Sequence, residues 1–354
     1  MNLGEGLRRY PKSQASEIVP GEKSALLSRR FESDMVSHTV GLTVLARPLN
    51  DERRDCHDRW PRCSPQRNLR TRAEQRPQAL RLSADRSRRL YAAQPGNFGA
   101  PPNNSSFGPD GLVILDVSDI QFRLPNPQIR IISRLFWDDQ GQVEQMLPFF
   151  SHGRSYLIST DESGGQAGVG RLAAACARGA SPYGYSNVID ITDETKPRIV
   201  SKIMLEVHDP KNCTKFLAEP PEAGAGPLDY STERCAVDRP MNPTMAACGS
   251  RGTGTRVFDI RDPLLPAEIA YWKGPAPRTA FLPGSGSWSA GVDRTVEKQA
   301  GLARFVKVPA ADGKGRELNL WIVGDAGGFQ VLRFTDSYLQ TQRGKAIIAE
   351  AIAE

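Results

Sequence analysis

The sequence predicts an all-β chain: an incomplete β-propeller of about three four-stranded blades plus an orphan strand, preceded by a largely disordered, basic N-terminal segment. Three observations lead there. An aliphatic-Asp signature recurs four times at a nearly constant interval. Each interval leaves room for two further strands before the next copy. The excess positive charge is confined to the first quarter of the chain.

A chain of 354 residues has room for two or three domains of ordinary size. Only 39% of it is hydrophobic, and 27 Pro with 32 Gly favour many turns over long helices. No apolar run approaches 18 residues, which predicts no transmembrane helix. Met1–Pro20 lacks the apolar stretch and small-residue cleavage site of a secretory signal, so the chain as written reads as cytoplasmic.

Residues 1–90 hold 19 Lys plus Arg against 11 Asp plus Glu, a net +8, while the remainder holds 27 against 29. The formal +6 of the whole chain therefore belongs to the N-terminal segment, and nucleic acid is not expected as a partner of the rest. Within the segment, Arg pairs are scattered among Ser, Gln and Pro, and the one apolar run is Val40–Ala46. Too little surface can be buried there to offset chain entropy, so disorder is expected. Two readings stand: a basic arm for nucleic acid or anionic membrane, or a non-native extension such as a GC-rich gene yields when read out of frame.

From Leu90 the texture changes. A Pro/Gly/Asn loop, Gln94–Pro109, precedes the first signature, GLVILDVSD (Gly111–Asp119). The later copies are NVIDITD (Asn187–Asp193), TRVFDIRD (Thr255–Asp262) and a degenerate GFQVLRFTD (Gly328–Asp336). Asp116, Asp190, Asp259 and Arg333 occupy the same position, 74, 69 and 74 residues apart, and such a period in strand-rich sequence marks a repeat architecture. Val and Ile build the strand, an acid-containing dipeptide starts a turn, and Pro follows to stop extension. New strands are expected at Gln128–Phe136, Arg198–Leu205 and Ala267–Lys273. Two more per interval fall at Val143–Phe150 and Ser155–Thr160, Arg234–Asp238 and Thr244–Gly249, and Ala303–Val308 and Leu318–Gly324. The signature strand is placed last in each sheet, which leaves Leu112–Val117 an orphan without partners in 1–90. Insertions at Gly164–Pro182, Asp209–Tyr230 and Gly274–Val296 would form loops on one rim. Blades span 91–340, and 341–354 is a short, helical tail. Since rings take about 4–8 blades, the chain reads as the C-terminal part of a larger propeller, a truncated form whose open blade faces would favour self-association.

These stretches resemble the LVIVD-repeat propeller proteins. GLVILDVSDI and TRVFDIRDPLLPAEIAYW carry the likeness, with NPQIRIISRL, RSYLISTDE, NVIDITDETKP, IVSKIMLEVHDPKNC, CAVD and AACG resembling a bacterial branch. The resemblance covers roughly residues 91–340. It implies a β-propeller, commonly exported, usually without an assigned activity. Relatives tend to carry a His shortly before the cysteine matching Cys235, where this chain has Thr232-Glu233-Arg234.

Candidate chemistry is sparse. Cys56 and Cys63 have no partner at zinc-ligand spacing. Cys176, Cys213, Cys235 and Cys248 allow three pairings, and two disulfides pinning rim loops are expected, with the oxidising compartment they imply. His152, Arg154, Asp161 and Glu162 flank one hairpin. Glu206, His208 and Asp209 end another strand, with Glu206 and His208 on one face. Either group could offer rim ligands, His208 with Glu206 or His152 with Glu162; the plainer reading is that they cap turns. There is no nucleophile elbow and no phosphate loop. The expectation is a non-catalytic binding or scaffold module, with no cofactor, no metal and an unknown protein or small-molecule ligand at the rim. Its rivals are a propeller hydrolase or oxidoreductase with a rim metal, and a nucleic-acid or membrane binder acting through the arm.

Overall fold

The structure is a computed structural model, and it describes residues 16–20, 88–95, 110–164, 172–217, 230–250, 252–274, 301–310, 312–324 and 328–353. Most of the N-terminal segment, including Val40–Ala46, Cys56 and Cys63, lies outside the described residues, as does most of the insertion Gly274–Val296.

The described residues are mostly β, arranged as four antiparallel meanders of three or four strands. β1 (Ser16–Pro20) stands apart in sequence. The first meander is β2 (Arg89–Gln94), β3 (Asp110–Asp116) and β4 (Arg130–Trp137). The second is β5 (Val143–Ser151), β6 (Arg154–Asp161), β7 (Ser186–Asp190) and β8 (Arg198–Ile203). The third is β9 (Thr232–Val237), β10 (Met245–Ser250), β11 (Gly254–Asp259) and β12 (Ala267–Trp272). The fourth is β13 (Arg304–Pro309), β14 (Arg316–Gly324) and β15 (Gly328–Phe334). β1 runs antiparallel to β15 and parallel to β12, and so joins the third and fourth meanders into one continuous sheet.

Two expectations about phase are corrected by these pairings. The strand that follows each signature turns back on the signature strand: β4 on β3, β8 on β7 and β12 on β11. In the first three meanders the signature strand is therefore not last: it is second of three in the first and third of four in the second and third. Only in the fourth does it end its own three strands. Leu112–Val117 is no orphan either, since β3 lies between β2 and β4, with Leu90 opposite Leu115 and Leu112 opposite Leu135. A short strand with Arg and two Ala carries little alternation, which is why β2 was not expected. Arg89, Leu90 and Ser16–Pro20 are strand residues inside the segment expected to be disordered.

Three apolar seams join the four meanders in chain order. Leu112, Ile114 and Trp137 of the first meet Val143, Leu157 and Ile189 of the second. Phe149, Ile158 and Val188 of the second meet Cys235, Ala246 and Phe258 of the third. Met245, Val257 and Ile269 of the third meet Leu318, Leu320 and Leu332 of the fourth. Each side chain so buried contributes about 1.5–3 kcal/mol, and a strand that faces two seams must be apolar on alternate residues of both faces.

Short helices occupy the connections: α1 (Ser118–Gln121), α2 (Leu172–Ala177), α3 (Cys213–Leu217), α4 (Asp336–Gln340) and α5 (Gln342–Ile352). The expected helical tail is thus part of the body, because Ile347 and Ala351 of α5 pack into the third seam. Thr341 caps α5 by accepting the Gly344 N–H at 2.9 Å.

Candidate functional site

The signature acids act as turn anchors, as the sequence suggests. Asp116 accepts the Ser118 N–H, Asp190 the Thr192 N–H and Asp259 the Arg261 N–H, always two residues on. Each also holds an arginine. Asp116 pairs with Arg89, Asp190 with Arg154 and Arg198, and Asp259 with Arg261 and Arg343. Burial by itself would raise the Asp190 carboxyl, but hydrogen bonds from Arg154 and Thr192 outweigh it and hold the group down to about 2. Asp190→Ala should therefore destabilise the chain by about 2–4 kcal/mol. Asp116→Ala, at the more exposed turn, should lose about 1 kcal/mol. Equal losses in urea denaturation would contradict this ranking.

The expected rim ligands do not converge. His152 and Gly153 form the tip of the β5–β6 hairpin, both with positive φ (49° and 76°), which is the two-residue turn such hairpins favour. His152 Nε2 lies 2.8 Å from the Arg261 carbonyl, and Asn242 Oδ1 accepts its backbone N–H at 3.2 Å. The hairpin tip is thereby tied to the third meander. Glu162 follows the opposite end of β6, roughly 20 Å or more away at the rise of an extended strand, so His152 and Glu162 cannot share an ion. Arg154 points to Asp190 instead.

Glu206 and His208 are not on a strand: Glu206–His208 is a single 3-10 turn, so period-2 reasoning does not apply there. His208 is buried, accepts the Leu205 N–H at Nδ1 (3.0 Å) and donates from Nε2 to the Tyr230 carbonyl (2.8 Å). Neither ring nitrogen is left for a metal. Burial pushes its proton affinity down to about 4. Glu206 faces Lys215 at 3.5 Å, and Asp209 caps the next turn through the Lys211 N–H. The plainer reading of these residues, turn caps and structural hydrogen bonds, is the one the geometry follows.

One of the three possible connectivities is present: Cys176–Cys213 with Cys235–Cys248. The first ties α2 to α3 across the two insertions, as expected of a rim bridge. The second is a cross-strand bond between directly opposed residues of β9 and β10, buried in the second seam, and pins no loop. Two disulfides suggest an oxidising environment and weigh only weakly against the cytoplasmic placement. No helix among the described residues is long and apolar enough to cross a membrane.

A concentration of buried acid sits where the first three meanders meet. Asp161, ending β6, accepts the N–H groups of Gln142 and Ser163 at 2.9 Å through Oδ1. Asp110, opening β3, takes Trp137 Nε1 at 2.6 Å and the Val143 N–H at 2.9 Å. Both carboxyls are fully buried and adjacent, and burial followed by the Asp110 charge drives the Asp161 carboxyl well above its ordinary range. With both ionised, Asp161 Oδ2 has no donor; a proton on Asp161 removes that conflict by donating to Asp110. Nearby, oxygens of Glu144, Glu162 and Glu233 lie within 4.8 Å of one another. Arg234 pairs with Glu144, and Gln142 Nε2 donates to Glu162 at 2.6 Å. Three such carboxylates can share protons or face a hard cation. Sequence reasoning found Asp161 and Glu162 but missed Asp110, Glu144 and Glu233. The available signal was acid at strand positions where a two-sided sheet calls for apolar residues.

No family model matches the chain, and no curated protein does. Among solved structures it is similar to the C-terminal domain of PilY1 from Pseudomonas aeruginosa, with a TM-score of 0.33 and 12% identity over 66% of this chain. The chain spans 40% of that domain's length. It is similar also to Sqt1 from Saccharomyces cerevisiae, with a TM-score of 0.24 and 9% identity over 70% of this chain and 69% of that one. Neither likeness is close enough to carry fold or function across.

Proposed function

We propose that the chain is a non-catalytic binding scaffold built of β-propeller blades, of the LVIVD-repeat kind, that works in an oxidising, extracytoplasmic space. One observation carries this reading: the same meander recurs four times, and in each of the first three the signature acid is consumed by its own turn and an arginine. What recurs is a structural device, not a set of reacting groups. The two bridges support the compartment, and the quoted repeat stretches support the kind of propeller. The ligand, protein or small molecule, is expected at the loops that join strand ends. A basic arm for nucleic acid or anionic membrane would rest on residues outside the described ones.

The rival reading, a propeller enzyme with a rim metal, is tested directly. The full chain is dialysed against zinc, manganese and calcium in turn, and bound metal is measured by elemental mass spectrometry. Well under one equivalent is expected, unchanged in His208→Ala and in Glu233→Gln. One equivalent that disappears in either variant would replace the scaffold with a metal site.

A further inference from the structure

The repeat has a polarity that the two terminal meanders leave unsatisfied. Count back from the signature position along β3, β7, β11 and β15. One residue back, Ile189, Phe258 and Leu332 each pack on the preceding meander. Two residues back, Ile114, Val188 and Val257 each pack on the following one. All three seams are therefore built the same way, a two-back face meeting a one-back face.

At the ends one face of each kind is left over. In the first meander it is the one-back face of Leu115, which the pairing Leu115↔Ile131 and Gly111↔Phe136 extends to Ile131 and Phe136. These are 49% and 38% exposed. In the fourth it is the two-back face of Val331, which the pairing Trp321↔Val331 and Val323↔Phe329 extends to Trp321, Val323 and Phe329, at 36%, 52% and 48% exposure. Exposed arginines also stand on these faces, Arg134 on the first and Arg304 and Arg333 on the fourth, and each face is the kind that the other end of the chain's own seams receives.

We propose that a second copy of this chain covers both: the fourth meander of each copy packs its Trp321–Phe329 face on the Leu115–Phe136 face of the other's first. The contact is heterologous, and two of them related by a twofold axis close a ring of eight meanders, within the range of about 4–8 that propellers use. This rests on the blade-array reading above.

The heterologous geometry gives a specific test. Phe329→Arg blocks only the fourth-meander face and Ile131→Arg only the first. Wild type is expected to run at twice the chain mass by light scattering after size exclusion, and each variant alone at half that value. Mixed in equal amounts, the two variants retain one intact pair of faces and should recover a dimer. Wild type that stays monomeric across a hundredfold concentration range overturns the proposal and leaves another part of the chain as the occupant. A mixture that fails to reassociate overturns it as well, as does mass that grows without limit. Val323→Lys repeats the test if Phe329→Arg misfolds. Amide protection of β6, β7, β10 and β11 in a monomeric wild type keeps the array reading and sinks only the pairing; loss of that protection sinks the array.

Discussion

Replacing Cys176 and Cys213 together by Ser is expected to lower the unfolding free energy by about 3–4 kcal/mol, and replacing Cys235 and Cys248 by Ala by about 3 kcal/mol. The bridges close loops of 37 and 13 residues, and closing the longer loop removes more freedom from the unfolded chain. The two losses should differ in kind. Cys176–Cys213 holds α2 and α3 near a small satellite cluster of Tyr183, Val207, Phe216 and Tyr230. Its removal should open α2 and the 206–217 segment to protease while β7, β8 and the seams stay closed. Cys235 and Cys248 lie inside the second seam, so their removal should lower the single cooperative transition of the whole body. Guanidinium denaturation with and without reductant, followed by mapping of the cleavage sites, separates the two. Unchanged midpoints under reduction would mean that neither bridge constrains the chain.

Strand positions were legible because they depend on local rules. Val and Ile alternation, a turn-forming acid and a following Pro locate β3 through β15 to within a few residues, with the described strands shifted mainly at their ends. The phase of the sheets was not legible, since which strand pairs with which depends on where the chain folds back. After Asp190 the turn closed by Asp193 on Thr195 sends β8 back along β7, and no alternation pattern records that. β2 escaped because Arg89, Ala92, Ala93 and Gln94 weaken its pattern, and its strand character comes from lying against β3. The same holds for the site. Asp161 and Glu162 stand beside a hairpin in the sequence, but Glu144 joins them through the β5–β6 pairing and Asp110 and Glu233 only through the meeting of three meanders. His208 misled because a residue at a strand end looks like a rim ligand, whereas Pro210 and the 3-10 turn fold it inward onto the backbone.

The Asp110–Asp161 pair should make the two members respond to amidation in opposite directions. Asp161→Asn supplies a neutral donor toward Asp110 and keeps an oxygen for the Gln142 and Ser163 N–H groups, so it mimics the protonated acid. Asp110→Asn instead turns an N–H toward either Trp137 Nε1 or the Val143 N–H, in either orientation of the amide, and should lose about 3 kcal/mol. The sign for Asp161 follows from linkage. Its folded proton affinity is raised above that of the unfolded chain, so the folded state binds more protons in between, and stability falls as pH rises through that window. Every tenfold difference in proton affinity amounts to about 1.4 kcal/mol. Asp161→Asn removes this slope: variant and wild type should be equally stable below the unfolded carboxyl range, and the variant should gain on wild type as pH rises from there until the folded carboxyl ionises. His208 bends the profile the other way, since its folded affinity, held down to about 4, gives stability that is complete above the unfolded value near 6.5 and lost as pH falls. The two windows overlap, so the difference between wild type and Asp161→Asn thermal midpoints from pH 4 to 8 isolates the Asp161 slope, and what the variant retains is the acid limb of His208. A midpoint curve for Asp161→Asn parallel to wild type across the whole range would show that Asp161 is ionised in the fold and that the pair is not proton-sharing.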